Sequence, residues 1–285
     1  DVEKVNYPIR LMCRVLRVSP SGYYAWQVRE PSRRAIENEN LTVSIRAVHA
    51  KSKRRYGSPR VQRELAAQGR RVSRKRVARL MRQHGLRAVG KRRFRVTTQS
   101  DHKRLIAPNL LARNFHVSRP DRIWVGDITY LQTMEGWLYL AVVIDLYSRR
   151  VVGWQISDRI NDELTIGALR MAISRRSPRP GLIFHSDRGS QYASADHLNL
   201  LTAHGFRASM SRRGDCWDNA VAESFFQLLK RERIRRRIYA DREEARRDVF
   251  DYIEMFYNPK RRHGYAGGIS PVQFEQQYFN QLGSV

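Results

Sequence analysis

The sequence predicts a mixed α/β fold, a five-stranded sheet flanked by helices, preceded by an all-α module. Two observations lead to this prediction. Up to about residue 90 the apolar residues recur with the 3.6-residue period of helices, whereas from Pro120 they alternate or run continuously, as in strands. Beyond about residue 160 helical and strand-like segments alternate, which is typical of a sheet with helices packed on its faces. A hydrophobic content of 41% is sufficient for a folded core.

The charge of the chain indicates a polyanionic partner. The 54 Lys and Arg against 27 Asp and Glu give a formal net charge of +27. Residues 51–95 contain eighteen Lys or Arg and a single acid, Glu64. Repulsion within such a segment is relieved by a nucleic-acid backbone. A membrane partner is not expected, because no run approaches the roughly 18 apolar residues of a spanning helix.

A cytoplasmic, nucleoid-associated location is expected from the ends of the chain and from its cysteines. The sequence begins Asp-Val-Glu-Lys, without a charged and then apolar leader. Cys13 and Cys216 are far apart and form neither a metal-finger spacing nor a disulfide framework.

Two helices are predicted at the start of a module spanning residues 33–90. Ser58 is expected to cap the second helix, with Pro59 at its first position and Gly69 just beyond its end. The apolar residues of the first helix recur at i, i+4 and i+7 and are Leu41, Ile45 and Val48.

A third helix completes a helix-turn-helix pattern. Ser73 is expected to cap it, and Gly85 to end it. Its inward residues are Val77, Leu80 and Met81. Its outward residues are almost all cationic: Arg74, Lys75, Arg76, Arg79, Arg82 and Gln83. A solvated basic face is the ordinary interpretation of such a helix, but the lack of compensating acids favours DNA contact.

The segment before this module is expected to contain a short helix, and the segment after it is expected to be a linker. In residues 1–32, Ser19 and Pro20 predict the start of a short helix, which belongs either to a second DNA-binding unit or to a packing arm. Residues 91–118 are interpreted as a basic linker. Its cations expected on DNA are Lys91, Arg92 and Arg93.

Residues 119–285 are predicted to form the sheet domain. Three strands with short connections indicate an antiparallel meander: Ile123–Leu131, Trp137–Ile144 and Val151–Ile156. Helix and strand then alternate: Glu163–Ser174, Leu182–Ser186, Ser194–His204 and Arg207–Met210.

Three carboxylates stand out against this framework. Asp127 falls within the first strand, Asp187 directly after the fourth, and Glu223 on a later helix that Asp218 is expected to cap. The first two are separated by 59 residues and the last two by 35. Acids beside apolar strands in a strongly basic chain are expected to hold a cation, and Mg²⁺ or Mn²⁺ prefers carboxylate oxygens. Two such ions about 3.5–4 Å apart assist phosphodiester displacement.

The helix of Glu223 is expected to pack by one stripe and present a polar face on the other side. The predicted stripe consists of Val221, Phe225 and Leu228. Lys230 shares the polar face with Glu223 and is expected to hold DNA phosphate.

Other polar residues have two interpretations. Asp145 either starts a turn, the favoured interpretation, or approaches the metals; His185 is either a core residue or part of the site. Near the C-terminus, Asp241 and Glu244 predict a capping box. The inward residues of that helix are Ala245, Val249, Ile253 and Phe256. The residues expected to form a second DNA contact after it are Arg261, Arg262 and His263.

The local strings around these residues resemble a known family. They are WVGDITY at 124–130, YLAVVID at 139–145, HSDRGSQY at 185–192, CWDNA at 216–220, SGYYAW at 21–26, YN at 257–258 and RRH at 261–263. Together with the spacing of the three acids, they resemble the bacterial insertion-sequence-three family, within the superfamily of DDE transposases and retroviral integrases. The similarity spans essentially the whole chain.

The resemblance implies a ribonuclease H-like fold and a DNA transposase that acts at the ends of its own element. Asp127, Asp187 and Glu223 would be both the catalytic residues and the ligands of two Mg²⁺ ions, with Mn²⁺ as a substitute. No zinc is implied, because the chain lacks a His-His-Cys-Cys arrangement. The implied DNA partners are the terminal inverted repeats and the target, bound by at least a dimer. A segment from an upstream reading frame, with a helix-turn-helix and a coiled coil, is a further implied partner.

Two other functions remain open from the sequence. One is a non-catalytic DNA-binding regulator or synapsis partner. The other is a ribonuclease H or junction resolvase on the same fold, against which the helix-turn-helix and the basic tail argue.

Overall fold

The computed structural model describes residues 6–88, 106–212 and 216–282, except the side chains of residues 216, 217 and 236. The chain forms two units, residues 1–88 and residues 89–285.

The first unit begins with two short helices, α1 (Ile9–Val15) and α2 (Pro20–Gln27). The cap predicted from Ser19 is confirmed, because its Oγ accepts a hydrogen bond from the Gly22 N–H at 2.9 Å.

Three longer helices follow: α3 (Arg33–Lys51), α4 (Ser58–Ala67) and α5 (Arg74–Gln83). The predicted inward residues of α3 and α5 are buried, together with Val61 and Leu65 of α4: Leu41, Ile45, Val48, Val77, Leu80 and Met81. Ser73 caps α5 as predicted, since its Oγ accepts from the Arg76 N–H at 3.2 Å. The cap predicted for α4 is wrong by one residue: Gly57 is the N-cap, without a side-chain bond, and Ser58 is already helical.

A five-stranded mixed sheet forms the centre of the second unit, as predicted. The strands are β1 (Ile123–Thr133), β2 (Gly136–Asp145), β3 (Val151–Ser157), β4 (Ile183–Ser186) and β5 (Arg207–Met210). Their order across the sheet is β3-β2-β1-β4-β5. The first three pair antiparallel as a meander, whereas β4 is parallel to β1 and β5 is parallel to β4.

Helices cover both faces of this sheet. They are α6 (Asp162–Arg176), α7 (Ala195–Ala203), α8 (Ala220–Glu232), α9 (Arg242–Phe250), α10 (Asn258–Lys260) and α11 (Pro271–Leu282). One apolar core packs α8 and α9 against one face, and a second packs α6 and α7 against the other. Helix α6 lies close to β3 because Gly153 has no side chain: a Cβ there would meet the Ala168 carbonyl oxygen at 2.2 Å.

The helix predicted after Asp241 is only partly regular. Asp241 Oδ1 accepts from the Glu244 N–H at 2.6 Å, but the Glu244 carboxylate accepts from Ala240, not from the cap residue. After α9 the chain continues as a π-helical segment, Asp251–Tyr257. The wider turn brings Tyr257 into the core and leaves Phe256 only partly buried, contrary to the predicted inward position.

Among the helices that the structure describes, none has the length and apolarity needed to cross a membrane.

Candidate active site and nucleic-acid interface

Asp127 lies in the middle of β1, which is the central strand of the sheet. Its Oδ1 accepts a hydrogen bond from the Ile128 N–H at 2.8 Å. Burial raises the pKa of the Asp127 carboxyl well above its ordinary value. The negative charges of Asp187 and Glu223 raise this pKa further, whereas the Ile128 N–H and Lys230 lower it. The charges of the other two predicted carboxylates therefore act on Asp127.

Asp187 follows β4 directly. Because β4 pairs in parallel with Ile123–Val125 of β1, the end of β4 comes beside the middle of β1. The Gly189 N–H donates to Asp187 Oδ1 at 2.9 Å, which orients the carboxylate in the turn after the strand.

Glu223 lies in the first turn of α8 and is partly buried, and burial raises the pKa of its carboxyl. The start of α8 is fixed to the sheet by Asn219, whose Nδ2 donates to the Gly126 carbonyl oxygen at 3.3 Å. All three residues of the predicted apolar stripe pack against the core, but only Phe225 is buried, while Val221 and Leu228 are partly buried at its edge. The buried stripe consists of Ala222, Phe225, Phe226 and Leu229.

Asp218 does not cap α8, contrary to the prediction. The N-cap residue is Asn219, without a side-chain capping bond. The buried Asp218 carboxylate instead accepts from Arg212 Nη2 at 2.9 Å, Arg113 Nε at 3.1 Å and Asn109 Nδ2 at 2.9 Å. The hydrogen bonds from Arg212 are the main cause that lowers the pKa of Asp218. This long-range network has no local sequence signal.

The donor set of the site fits a hard divalent cation. The charges of Asp187 and Glu223 both act on the partly buried Asp127 carboxylate, so a cation would relieve both the burial and the repulsion at Asp127. As they stand, no three His, Cys, Asp or Glu side chains in the described ranges are close enough together to form a metal site. The fit therefore rests on the chemistry of the ligands.

Lys230 lies two turns beyond Glu223 and borders the same site. Its Nζ stands 4.6 Å from the centroid of the Tyr130 ring. Burial and the nearby Arg235 lower the pKa of the Lys230 amine, whereas Asp127 raises it. The cation is therefore placed between an acidic centre and an aromatic surface.

Two residues near the site were missed by sequence reasoning. Tyr130 follows Asp127 by three positions on β1, and the only local signal for it is the string WVGDITY. Tyr192 is buried close enough to Asp127 and Asp187 for both charges to raise the pKa of its hydroxyl, after the larger effect of burial. Its position follows from the turn after β4.

The alternatives for Asp145 and His185 are decided by their contacts. Asp145 starts a turn: its Oδ1 accepts from the Ser148 N–H at 3.0 Å, and its Oδ2 from the Asp121 N–H at 2.7 Å. His185 is fully buried between the hydroxyls of Ser209 and Ser211, at 2.8 and 3.2 Å. None of these hydrogen bonds joins Asp145 or His185 to one of the three predicted carboxylates.

The basic face of α5 is exposed as predicted, with one correction. Arg76 is not part of it, because its Nε donates to Asn38 Oδ1 at 2.8 Å and its Nη2 pairs with Glu37 Oε2 at 3.1 Å, both on α3. Only 27% of the Arg76 side chain is exposed. The exposed residues of the face are Arg74, Lys75, Arg79, Arg82 and Gln83.

The second expected DNA contact is corrected at two positions. Arg261 is 1% exposed and pairs with Glu232, its Nη2 lying 2.7 Å from Oε1. His263 is also buried, with its ring against Tyr257 at 4.9 Å. These two residues belong to the core because a buried acid on α8 attracts the arginine. Arg262 is partly exposed and donates to the Gly268 carbonyl oxygen at 3.1 Å. The remaining predicted cations, Lys91, Arg92 and Arg93, lie outside the described residues.

Comparison with known protein families assigns three regions. Residues 35–94 match the "HTH-like domain", and residues 117–216 and 223–279 match two models each described as "Integrase core domain". The three acids fall in the two integrase-core regions and the basic face of α5 in the first region.

Two solved structures are partly similar to this chain. A chain of the simian T-cell lymphotropic virus intasome, solved in complex with PP2A regulatory subunit B56 gamma, has a TM-score of 0.45 and 16% identity, over 80% of this chain and 73% of that one. The HTLV-2 integrase catalytic core domain in complex with magnesium has a TM-score of 0.41 and 18% identity, over 56% of this chain and 99% of that one.

Curated relatives match along almost the whole length. The Insertion element IS600 uncharacterized 31 kDa protein of Shigella sonnei is 45% identical over 267 residues, which cover 94% of this chain and 98% of that protein. Transposase InsF for insertion sequence IS3A of Escherichia coli strain K12 is 46% identical over 279 residues, 97% of each chain. On this identity and coverage, the chain belongs to the IS3 family of transposases and acts in DNA transposition.

Proposed function

We propose that Asp127, Asp187 and Glu223 are the catalytic residues with which this transposase cuts DNA at the ends of its element and joins those ends to target DNA. The observation that supports this most is the placement of the three acids on β1, directly after the neighbouring β4 and in the first turn of α8, where the charges of the last two act on the partly buried Asp127. Carboxylates supplied by neighbouring strands and a helix, one of them with a raised pKa, are typical of a site that holds cations beside phosphate.

The same three side chains would hold two Mg²⁺ ions. When bound, the ions supply charge stabilisation for the attacking and leaving oxygens of an in-line displacement at phosphorus. The Ile128 and Gly189 N–H groups keep one oxygen of Asp127 and of Asp187 in a fixed orientation. Such pre-orientation lowers the reorganisation needed during the reaction.

The remaining groups of the site bind and orient DNA. Lys230, close to Asp127 but opposite in charge, would hold a phosphate next to the one that reacts. Water would be the first nucleophile and a DNA 3′-hydroxyl the second, so no covalent bond between protein and DNA is required. Cys216 and the tyrosines therefore have no nucleophilic role in this proposal.

DNA recognition is assigned to the module of residues 33–90. The exposed cations of α5 are proposed to contact the duplex: Arg74, Lys75, Arg79 and Arg82. Residues 119–285 are proposed as the catalytic domain, joined to this module by the linker 91–118 and preceded by the arm 1–32. Because two element ends must meet, we propose at least a dimer on DNA.

A strand-cleavage and strand-transfer assay on element-end DNA with Mg²⁺ tests the proposed site. Asp187→Asn removes one ligand charge and is expected to lower both rates by on the order of a hundredfold or more, the scale for loss of one oriented electrostatic group. Asp196→Asn, a change of the same charge at an exposed position on α7, is the matched control and is expected to retain activity. Wild-type rates in Asp187→Asn would remove that carboxylate from the catalytic set.

A further inference from the structure

An exposed aromatic pair lies beside the candidate active site. Tyr130 on β1 and Trp137 on β2 stand edge to face, with ring centroids 5.3 Å apart and an interplanar angle of 84°. Each side chain is 47% exposed, and neither belongs to the two apolar cores of this unit. The pair therefore presents ring surface to solvent, and its rings are not part of either apolar core among the described residues.

Lys230 connects this pair to the acids. Its Nζ lies 4.6 Å from the Tyr130 ring centroid, and its charge acts on Asp127. Within the described residues, Lys230 has no acidic partner in ion-pair distance, and its cationic neighbour is Arg235. At about 3.3 Å per residue along a strand, the Cα atoms of Tyr130 and Asp127 lie roughly 10 Å apart, or about three nucleotides of stacked DNA. The two side chains leave opposite faces of the strand, and Lys230, which reaches the Tyr130 ring and acts on Asp127, links them.

Further apolar surface continues the patch at the tip of the β1–β2 hairpin. Met134 and Ile238 are 77% and 85% exposed. The hairpin tip is hydrogen-bonded to the segment that precedes α9, since the Met134 N–H donates to the Tyr239 carbonyl oxygen at 3.0 Å. The acid at the tip, Glu135, accepts from the Arg242 N–H. An aromatic surface is complementary to a polyanion with flat apolar groups when a cation without an acidic partner in the described part of the chain, here Lys230, lies at its end nearest the acids.

We propose that Tyr130 and Trp137 stack an unpaired nucleobase of the DNA strand held at the acids, while Lys230 contacts an adjacent phosphate. This inference rests on the proposed function, because it takes the reacting strand to lie at Asp127, Asp187 and Glu223. Stacking on an aromatic ring accepts any base, since every base has a π-face. The surface therefore selects a frayed or single-stranded end and not a particular sequence.

The test compares two DNA probes with the full chain, without divalent metal. One probe is a duplex with three unpaired terminal nucleotides, one of them 2-aminopurine, and the other is the fully paired duplex of the same sequence. Tyr130→Ala combined with Trp137→Ala is expected to weaken binding of the unpaired probe roughly 5- to 150-fold, which corresponds to about 1–3 kcal/mol for one stacked base. Binding of the paired probe is expected to change less than about twofold.

Controls separate stacking from folding and from self-association. Phe279→Ala, at a 51% exposed ring on α11, is expected to bind both probes as wild type does. Tyr130→Phe with Trp137→Phe keeps the rings and is expected to keep the preference for the unpaired probe. In wild type, stacking is expected to quench 2-aminopurine at an unpaired position, which needs no variant to fold.

Three results would overturn the proposal: no quenching in wild type, equal loss on both probes, or a double-alanine variant that alters only self-association in sedimentation. The last would identify the patch as a protein interface. Because binding is measured without metal or cleavage, absent stacking beside normal strand cleavage rejects this surface alone. Normal stacking with an active Asp187→Asn variant would reject the catalytic assignment instead.

Discussion

Two buried tyrosine hydroxyls in the second unit differ in whether they form a hydrogen bond with another described residue. The Tyr239 hydroxyl donates to Asp248 Oδ2 at 2.8 Å. In the described part of the chain, no group lies within hydrogen-bonding distance of the buried Tyr192 hydroxyl, although its ring packs against Phe184 and His197. An unpaired buried polar group destabilises a fold, whereas a paired one stabilises it modestly.

Tyrosine-to-phenylalanine changes at these two positions should therefore have different effects on stability. Tyr239→Phe is expected to lower the free energy of unfolding by about 0.5–1.5 kcal/mol, the net contribution of one hydrogen bond. Tyr192→Phe is expected to leave it unchanged or raise it. Urea unfolding curves of both variants provide the comparison. A loss above about 1 kcal/mol in Tyr192→Phe would mean that its hydroxyl is bonded in solution.

A second residue-scale prediction concerns pH. His197 is fully buried, and burial lowers the pKa of its imidazole to about 4. Because the folded-state pKa lies below the unfolded value of about 6.5, the unfolded chain binds more protons. The stabilisation is present above pH 6.5 and is lost as the pH falls toward 4.

Replacing His197 with phenylalanine should remove this contribution. Between pH 7 and pH 5 the wild-type free energy of unfolding should fall by about 2 kcal/mol from this residue, and the fall should be smaller by that amount in His197→Phe. Asn199→Ala, at an exposed and uncharged position on α7, is the control and should leave the pH dependence as in wild type. Equal pH dependence in wild type and His197→Phe would contradict the buried, neutral imidazole.

At the level of helices and strands, sequence patterns correctly predicted the features that depend on contacts between residues near in sequence. Ser19 and Ser73 cap helices as predicted because the serine and its helix are neighbours in sequence. Asp218 is not a cap because Arg113, far away in sequence, and Arg212 bind its carboxylate. Arg261 is not an exposed DNA contact because it pairs with the buried Glu232 on another helix. Periodicity and capping patterns do not report such long-range charge pairs.

Because Arg76 is held by residues of α3 while Arg79 and Arg82 are exposed, mutations of these arginines on α5 should differ in their effect on DNA binding. Arg79→Gln with Arg82→Gln is expected to weaken binding to element-end duplex and to reduce the log–log salt slope by roughly 1.8, about 0.9 for each lost phosphate contact. Arg76→Gln should leave the slope nearly unchanged, because this side chain is held by Glu37 and Asn38.

A salt titration of binding separates these variants, with thermal melts as a check on folding. Arg33→Gln with Arg34→Gln, on exposed positions of α3, matches the change in charge elsewhere in the unit. A wild-type slope in the Arg79 and Arg82 variant would mean that α5 is not the DNA-contacting helix.

For the whole molecule, the proposed function gives the charge of +27 and the three acids different steps, binding and chemistry. The mixed sheet could be predicted because the strands, their short connections and the motifs around the acids are continuous in sequence. The exposed pair Tyr130 and Trp137 could not be predicted, since only strand pairing brings these residues together. Binding and chemistry should therefore be separable by mutation.

The most direct test of the three-carboxylate site is Glu223→Gln, examined in a binding titration and a Mg²⁺-dependent cleavage assay on the same element-end DNA. The loss of a negative charge near phosphate should leave binding intact or slightly tighter, while strand cleavage is abolished. Glu163→Gln, an acid in the first turn of α6, is the control and should cleave normally. Normal cleavage by Glu223→Gln, or loss of cleavage only in proportion to lost DNA binding, would contradict the assignment of Glu223 to the catalytic centre.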